Sequence, residues 1–299
     1  TYVALMAMLH AVEAGAQAAM LAPTEILARQ HGSNLQAMLQ DNGIVLEILT
    51  GRDKGKKRKA ILERLENGEI DILVGTHALI QGDVVFRDLA LAVIDEQHRF
   101  GVHQRLMLAA KGEGRLDVLV MTATPIPRTL TLALYGEMDV SRLDEKPPGR
   151  HPIDTRVLNV DRLSEVVAGL ERAVAQKQRV YWVCPLVEES ENSELAAAEE
   201  RYAQLKKIFG ERVGLIHGRM KGVEKDEVMA RFKDGSFDIL VATTVIEVGV
   251  DVPEATIMVI EQAERFGLAQ LHQLRGRVGR GSGKSVCLLL RSQDLVEVA

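Results

Sequence analysis

Two adjacent carboxylates, Asp95 and Glu96, follow a continuous apolar run that begins at Leu89. Such a run predicts a strand buried on both faces of a parallel sheet. Ligands of open α/β sheets bind beyond the carboxyl ends of the strands, so both side chains are expected where a nucleotide phosphate and its Mg²⁺ would lie. One carboxylate can hold the metal while the other orients the attacking water, as nucleotide hydrolysis requires. A strand end with solvated polar residues is the simpler alternative.

A second group of residues suited to phosphate chemistry is Gln273-Leu-Arg-Gly-Arg277-Val-Gly-Arg280. Its glycines disfavour a helix interior, because each costs about 1 kcal/mol there relative to alanine. Near a helix end, Arg277 and Arg280 are expected to project as planar guanidinium forks that match phosphate oxygens. A generic basic surface helix is the alternative, and the glycine spacing argues against it.

Helical and strand patterns alternate along both halves of the chain, which predicts an α/β fold of two tandem parallel-sheet domains. The predicted strands are Ala16–Ala22, Ile44–Leu49, Ile70–Gly75, Ala90–Asp95, Leu116–Thr122, Val180–Val187, Val213–His217, Ile239–Ala242, Ile257–Glu261 and Val286–Leu290. The predicted helices include 2–14, Thr24–Leu39, Lys56–Asn67 and one that begins at Pro127, and Glu188–Ser193 is predicted to be a polar loop.

A proline-rich stretch separates the two halves. Three of the eight prolines fall within residues 144–152, and such a stretch continues neither a helix nor a central strand. We therefore predict a linker at residues 146–153, between a first domain at 1–145 and a second domain at 154–299.

The bulk composition is that of a globular protein, with 46% hydrophobic and 26% charged residues among 299. No apolar run is long enough for a membrane span. Cys184 and Cys287 lie in apolar runs far apart in sequence, which predicts buried free thiols and a reducing, cytoplasmic location. The net charge of −5 does not indicate a nucleic-acid binder. The one basic cluster, Arg52 to Lys59, fits either a solvated helix start or a phosphate contact.

Together with further motifs, the carboxylates and arginines resemble the two RecA-like motor domains of superfamily 2 helicases and translocases, and most specifically the bacterial RecG branch-migration helicases. The resemblance rests on Ala22–His31, Gly75–Ile80, Asp95–Arg105, Thr122–Thr129, Pro147–Arg150, His217–Met220, Val241–Asp251 and Arg265–Arg280. It covers essentially the whole chain. It implies two P-loop NTPase domains that use ATP and Mg²⁺ and act on branched double-stranded DNA.

The resemblance also implies roles for individual residues. The catalytic set would be Asp95, Glu96, Gln273, Arg277 and Arg280; the nucleotide-binding set would be Thr1, His98, Gly249 and Asp251; and Asp95 and Thr1 would ligate the metal. The DNA-binding set would be Pro23, Thr24, Thr50, Gly51, Thr76, His77, Thr243 and Thr244, with Thr122 and Thr124 coupling DNA to the carboxylates. Ordinary turn or cap chemistry is an open alternative for these threonines.

The phosphate-binding motif G-x-x-x-x-G-K-[ST] does not occur in the 299 residues. The nearest sequence, Gly279-Arg-Gly-Ser-Gly-Lys284-Ser285, has three residues between its outer glycines and precedes a predicted strand, so we reject it. Thr1 is followed by the order of elements expected just after a phosphate loop. We therefore expect an inactive fragment that lacks this loop, an amino-terminal wedge domain and carboxyl-terminal elements.

The expected parent is a monomeric ATP-dependent DNA helicase that remodels stalled forks and Holliday junctions in recombination and DNA repair. The transcription-repair coupling translocases share the run Thr122–Thr129, but Gln97 after the two carboxylates and the segment Pro147–Arg150 favour RecG. A catalytically silent scaffold that binds nucleotide or protein partners is the alternative from another class.

Overall fold

The computed structural model describes residues 1–40, 42–96, 111–112, 116–122, 139–143, 145, 149–185, 191–243, 252–281 and 283–292. The chain divides into two compact units, Thr1–Pro125 and Ile126–Ala299. The helix predicted from Pro127 and part of the linker predicted at 146–153 lie outside the described residues, so both stay predictions.

The first unit is a parallel sheet with helices between its strands. Its helices are α1 (Tyr2–Glu13), α2 (Glu25–Met38) and α3 (Gly55–Glu66), and its strands are β1 (Gln17–Leu21), β2 (Leu46–Leu49), β3 (Ile72–Gly75), β4 (Leu89–Asp95) and β5 (Asp117–Met121). A 3₁₀ turn, His77–Ile80, follows β3. The strand order is β2-β3-β1-β4-β5, and every pairing is parallel.

Apolar strands and a close backbone approach hold the first sheet together. All residues of β1 and β3 are buried. Gly75 ends β3 where a Cβ atom would lie 2.1 Å from the carbonyl oxygen of Leu49. Only glycine therefore permits this contact between β2 and β3, which sets the start of the loop that follows.

The second unit is a second parallel sheet. Its strands are β6 (Asp154–Asn159), β7 (Arg179–Val183), β8 (Val213–Ile216), β9 (Ile239–Ala242), β10 (Ala255–Ile260) and β11 (Val286–Arg291), and its helices are α4 (Leu163–Ala175), α5 (Glu191–Phe209), α6 (Gly222–Asp234) and α7 (Leu268–Arg275). The strand order is β6-β11-β10-β7-β9-β8.

Alternating side chains of β7 supply both cores of the second unit. Val180 and Trp182 pack in a cluster that includes apolar residues of α4 and α5. Tyr181 and Val183 pack in another, which includes residues of α6 and α7. Because successive strand residues point to opposite faces, helices cover both faces of this sheet. The predicted fold class is therefore confirmed in both units.

Three details of the predicted second half are wrong. Strand β6 was missed, because its residues are mostly exposed and polar and it lies at the sheet edge. The strand predicted to reach Val187 ends at Val183, shortly before Pro185, which has no backbone N–H to donate. Helix α5 begins at Glu191, inside the predicted loop, because the polar residues after Pro185 include helix-compatible glutamates.

Among the described helices, none combines the length and apolar character that crossing a membrane requires.

Candidate functional site

The two carboxylates end the strand that the sequence predicts. Asp95 is the last residue of β4, and its side chain is 18% exposed. Glu96 follows with φ of 50°, in the left-handed region that non-glycine residues seldom adopt. This sharp change of backbone direction sends the two neighbouring carboxylates to different surroundings, and such strained conformations concentrate at functional sites.

The carboxylates have different partners. His31 Nε2 lies 2.8 Å from Asp95 Oδ2. The Thr122 hydroxyl donates to Glu96 Oε2 at 3.5 Å, because β5 pairs with β4 in a register that sets Met121 opposite Asp95. The predicted coupling residue Thr122 is therefore next to Glu96, while Thr124 and His98 lie outside the described residues.

The donor chemistry at the end of β4 fits Mg²⁺. Among the described residues, no group of three or more His, Cys, Asp or Glu side chains could hold a metal ion. Magnesium at a nucleotide site needs no such cage, since one or two carboxylates, substrate phosphates and water complete its shell. Asp95, fixed by a buried imidazole, is the residue that would hold it.

Predicted DNA-contact residues follow β1, β2 and β3 at the same edge of the first sheet. Thr24 caps α2, since its side chain accepts from the Leu27 N–H at 3.4 Å, and Pro23 before it is half-buried. Thr76 is buried and caps the turn through the Ala78 N–H, whereas His77 is exposed.

The loop after β2 is held from within. Thr50 is fully buried, and both its N–H and its hydroxyl donate to Asp53 Oδ2, at 2.9 and 3.1 Å. Arg29 of α2 donates to the same hydroxyl at 3.3 Å. The Thr50 side chain is therefore occupied inside the unit, and Gly51 is the exposed residue of the predicted pair.

Acidic side chains partner most of the basic cluster. Four of its six cations form ion pairs: Arg52 with Glu25, Lys57 with Asp53, Arg58 with Asp83, and Lys59 with Glu63. Lys54 and Lys56 are exposed at the start of α3. These contacts favour the solvated interpretation for much of the cluster.

Thr1 is exposed and stands at the N-cap position of α1 without a side-chain cap bond. Helix α1 packs against β1 and β4, the strand that ends in Asp95. The role of Thr1 as a metal ligand stays a prediction.

The arginine motif of the second unit surrounds a helix end. Gln273 lies in α7, which ends at Arg275, and Gly276 caps the helix. Arg277 is only 8% exposed, and its predicted contact with phosphate stays a prediction. Arg280 is half-buried, and its Nε donates to the carbonyl oxygen of Gly276 at 3.1 Å. Gly279 between them has φ of 75°, a backbone conformation that favours glycine.

Other predicted residues of the second unit lie at the carboxyl edge of its sheet. Thr243 follows β9, is buried, and its N–H donates to the carbonyl of Ile216 at 3.3 Å. His217 follows β8, and burial lowers its pKa below the ordinary value. Thr244, Gly249 and Asp251 lie outside the described residues.

Sequence reasoning missed an ion-pair network at this edge. Glu261, directly after β10, accepts from Arg201 of α5 (Nη2 to Oε2, 3.0 Å) and from the indole of Trp182. Gln262 then adopts φ of 46°. No periodic pattern signals such a contact between residues 60 or more positions apart. The network fixes the chain where it leaves β10 and turns toward α7.

Both cysteines are buried thiols. Cys184 and Cys287 are free and buried, as predicted, and burial raises the pKa of the Cys287 thiol to about 11. Such a thiol stays protonated at neutral pH and is a poor nucleophile.

Known proteins match both units. Residues 1–132 match the DEAD/DEAH box helicase family, and residues 160–282 match the helicase conserved C-terminal domain. The chain is 53% identical over 304 residues to the ATP-dependent DNA helicase RecG of Haemophilus influenzae, covering 100% of this chain and 44% of that protein. It is 52% identical over 292 residues to RecG of Bacillus subtilis, covering 97% of this chain and 43% of that protein.

A solved structure of RecG bound to a three-way DNA junction agrees with the same assignment. It superimposes with a TM-score of 0.79 at 46% identity, over 99% of this chain and 38% of that one. The chain thus spans less than half the length of these relatives. Both matched regions are helicase domains, and the paired carboxylates follow β4 in the first of them. Together with the identity along the whole chain, this shows that the chain belongs to the RecG family of helicases.

Proposed function

We propose that this protein uses ATP hydrolysis to translocate on double-stranded DNA and to remodel branched structures such as stalled forks and Holliday junctions, in recombination and repair. The observation that carries the proposal is the Asp95–Glu96 pair after β4, in a chain about half identical to RecG helicases along its whole length.

The carboxylates divide the chemistry. Asp95 would hold Mg²⁺, which when bound neutralises charge that develops on the transferring phosphate. Glu96, turned away by its left-handed backbone and touched by Thr122, orients the attacking water and accepts its proton. The different partners of the two side chains support different roles.

The second unit supplies the cations. We assign Arg277 and Arg280 to charge stabilisation on the γ-phosphate, and Gln273 of the same sequence motif to the catalytic set. Gly249, Asp251 and His98 are assigned to nucleotide binding on the family resemblance alone. The phosphates also need a cradle, and because the 299 residues contain no G-x-x-x-x-G-K-[ST] motif, we propose that they hydrolyse negligible ATP by themselves.

DNA contact is proposed at backbone phosphates. The capped amino terminus of α2, the exposed Gly51 and the exposed His77 follow neighbouring strands at one sheet edge. Helix amino termini and backbone N–H groups bind phosphate without reading bases. With a net charge of −5, we expect weak binding that falls as salt rises and shows no sequence preference.

A junction-remodelling assay tests the proposal. The complete gene product is mixed with a labelled three-way junction, or with a linear duplex of the same sequence, and strands are separated on a gel. ATP is expected to drive strand separation of the junction, and a non-hydrolysable analogue is not. A protein that binds the junction but never remodels it with ATP would contradict the proposal and favour the scaffold. Displacement of stalled RNA polymerase without remodelling would favour a transcription-repair translocase.

A further inference from the structure

A buried imidazole lies against the carboxylate that would hold the metal. His31 is 8% exposed and belongs to the buried stripe of α2 that also contains Leu27, Ala28 and Leu35. A polar ring in such a stripe requires a hydrogen-bond partner. Its Nε2 lies 2.8 Å from Asp95 Oδ2, 64 residues away in sequence. An ionised carboxylate only accepts, so the imidazole N–H donates.

This contact fixes the orientation of the Asp95 carboxylate. The terminal torsion of an aspartate is broad, so a carboxylate at a strand end samples several orientations unless a partner holds it. His31 is itself held by its packing in α2, which makes it a rigid donor. Replacing a residue that hydrogen-bonds to a metal ligand commonly lowers metal affinity or activity by about 10- to 100-fold.

The side of α2 opposite His31 contacts the loop after β2, which is a predicted DNA-contact loop. Glu25 pairs with Arg52 at 2.6 Å, and Arg29 donates to Thr50. At about 100° per residue, Arg29 and His31 lie roughly 200° apart around the helix axis. One helix therefore contacts the loop after β2 through one face and Asp95 through the other, and Thr24 caps its amino terminus.

We propose that His31 is a positioning residue for ATP hydrolysis. Its imidazole orients Asp95 toward the metal and connects Asp95 to α2, the helix that contacts the predicted DNA-contact loop after β2. The proposal rests on the proposed function, because it takes Asp95 as the metal carboxylate. It adds a residue to the hydrolysis site. It also makes α2 the structural connection through which DNA binding at the amino end of this helix affects Asp95.

Three substitutions at one position separate hydrogen bonding from packing. His31→Leu places an apolar side chain in the buried stripe of α2 and removes the donor. His31→Gln places an amide nitrogen the same number of bonds from Cα as Nε2, whereas His31→Asn is shorter by one bond. Asn34→Leu puts leucine on the exposed side of the same helix and serves as the matched control.

Two readouts are made on the complete gene product. The first is Mn²⁺ affinity in the presence of ADP, by electron paramagnetic resonance, with the thermal unfolding midpoint measured alongside. The second is the ratio of ATP hydrolysis rates with and without branched DNA. His31→Leu and His31→Asn are expected to weaken Mn²⁺ binding by about 10- to 100-fold and to lower the DNA stimulation ratio. His31→Gln and Asn34→Leu are expected to stay near wild type.

Several results would overturn the inference. If His31→Leu lowers only the unfolding midpoint and keeps the wild-type Mn²⁺ affinity, the histidine is structural. If His31→Leu does not fold, equal Mn²⁺ affinity of the Gln and Asn variants leads to the same conclusion. An unchanged stimulation ratio in a variant that binds Mn²⁺ weakly would remove the link to DNA. A wild-type protein that never hydrolyses ATP with DNA would instead refute the proposed function.

Discussion

At the scale of single residues, the proposed hydrolysis site contains two neighbouring carboxylates that the backbone directs to different partners. Asp95 ends β4 in register with its neighbours and meets His31, while Glu96 turns into the left-handed region and meets Thr122. An aspartate held by a buried donor suits metal binding, and a glutamate beside a hydroxyl suits water activation. Substitution of Asp95 is therefore expected to impair metal binding, and substitution of Glu96 is expected to impair turnover.

Replacing Glu96 by glutamine tests this division. Glu96→Gln removes the base but keeps the shape, so turnover of the complete gene product is expected to fall roughly 10²- to 10⁴-fold while ATP affinity is retained. Asp95→Ala is expected to weaken Mg²⁺-dependent nucleotide binding instead. Steady-state hydrolysis and fluorescent-nucleotide titration measure both. A Glu96→Gln variant that loses nucleotide affinity as severely as Asp95→Ala would show that the roles are misassigned.

The sequence predicted the carboxylates but not what surrounds them. An apolar run that ends in Asp95 and Glu96 is a local signal, readable from consecutive residues. The partner His31 is 64 residues away, and only its place in the apolar stripe of α2 hints that it needs one. The burial of Arg277 was also unpredictable, since a charged residue after a glycine gives no local sign of its packing.

At the scale of elements, α2 and the loop after β2 organise the first unit around its sheet edge. The loop closes on Asp53, which is 6% exposed and accepts from Thr50 and from Lys57 at 2.7 Å. Burial alone raises the pKa of the Asp53 carboxyl, but these donors outweigh it and hold the pKa below the ordinary value of 3.8. The ionised form is therefore part of the folded loop.

The lowered pKa gives a prediction for stability against pH. A carboxyl whose folded pKa is depressed stabilises the fold above its unfolded pKa, and this contribution is lost as pH falls through the folded value. Asp53→Asn is expected to destabilise the protein by roughly 1–3 kcal/mol at neutral pH. The difference from wild type should shrink as the pH falls below 3.8. Denaturant unfolding at several pH values checks this, with the exposed Asp117→Asn as control; a difference independent of pH would contradict it.

Most elements were predictable because their signals are local. Apart from β6 and the end of β7, apolar runs predicted the strands of both units and the three helices of the first unit to within a few residues. Strand β6 was not predicted because its residues are mostly polar and exposed and form no apolar run. The end of β7 before Pro185 was readable in principle, since proline cannot donate to a central strand.

At the scale of the whole molecule, each of the two parallel-sheet units carries residues that we propose for nucleotide hydrolysis. The first carries the carboxylates after β4, and the second carries the arginines after α7. The net charge of −5 gives no overall attraction to DNA. The DNA binding that we propose therefore depends on local loops, which the fold class alone does not indicate.

The arginine assignment predicts a large catalytic effect from one side chain. If Arg280 stabilises the γ-phosphate, Arg280→Ala in the complete gene product is expected to lower turnover by about 10³- to 10⁵-fold while sparing ATP affinity. Lysine should rescue poorly, because it offers a point charge instead of a planar fork. The exposed Arg172→Ala on α4 is the control. Turnover within about tenfold of wild type at saturating ATP and DNA would make Arg280 structural.

We propose that this chain carries the groups of a DNA-stimulated ATP motor. The decisive measurement is the initial rate of ATP hydrolysis by the complete gene product, with and without a three-way DNA junction, beside the Glu96→Gln variant. We expect the junction to raise the wild-type rate well above the rate without DNA, and Glu96→Gln to stay at background in both conditions. A wild-type rate with the junction that equals the Glu96→Gln background would refute the proposal.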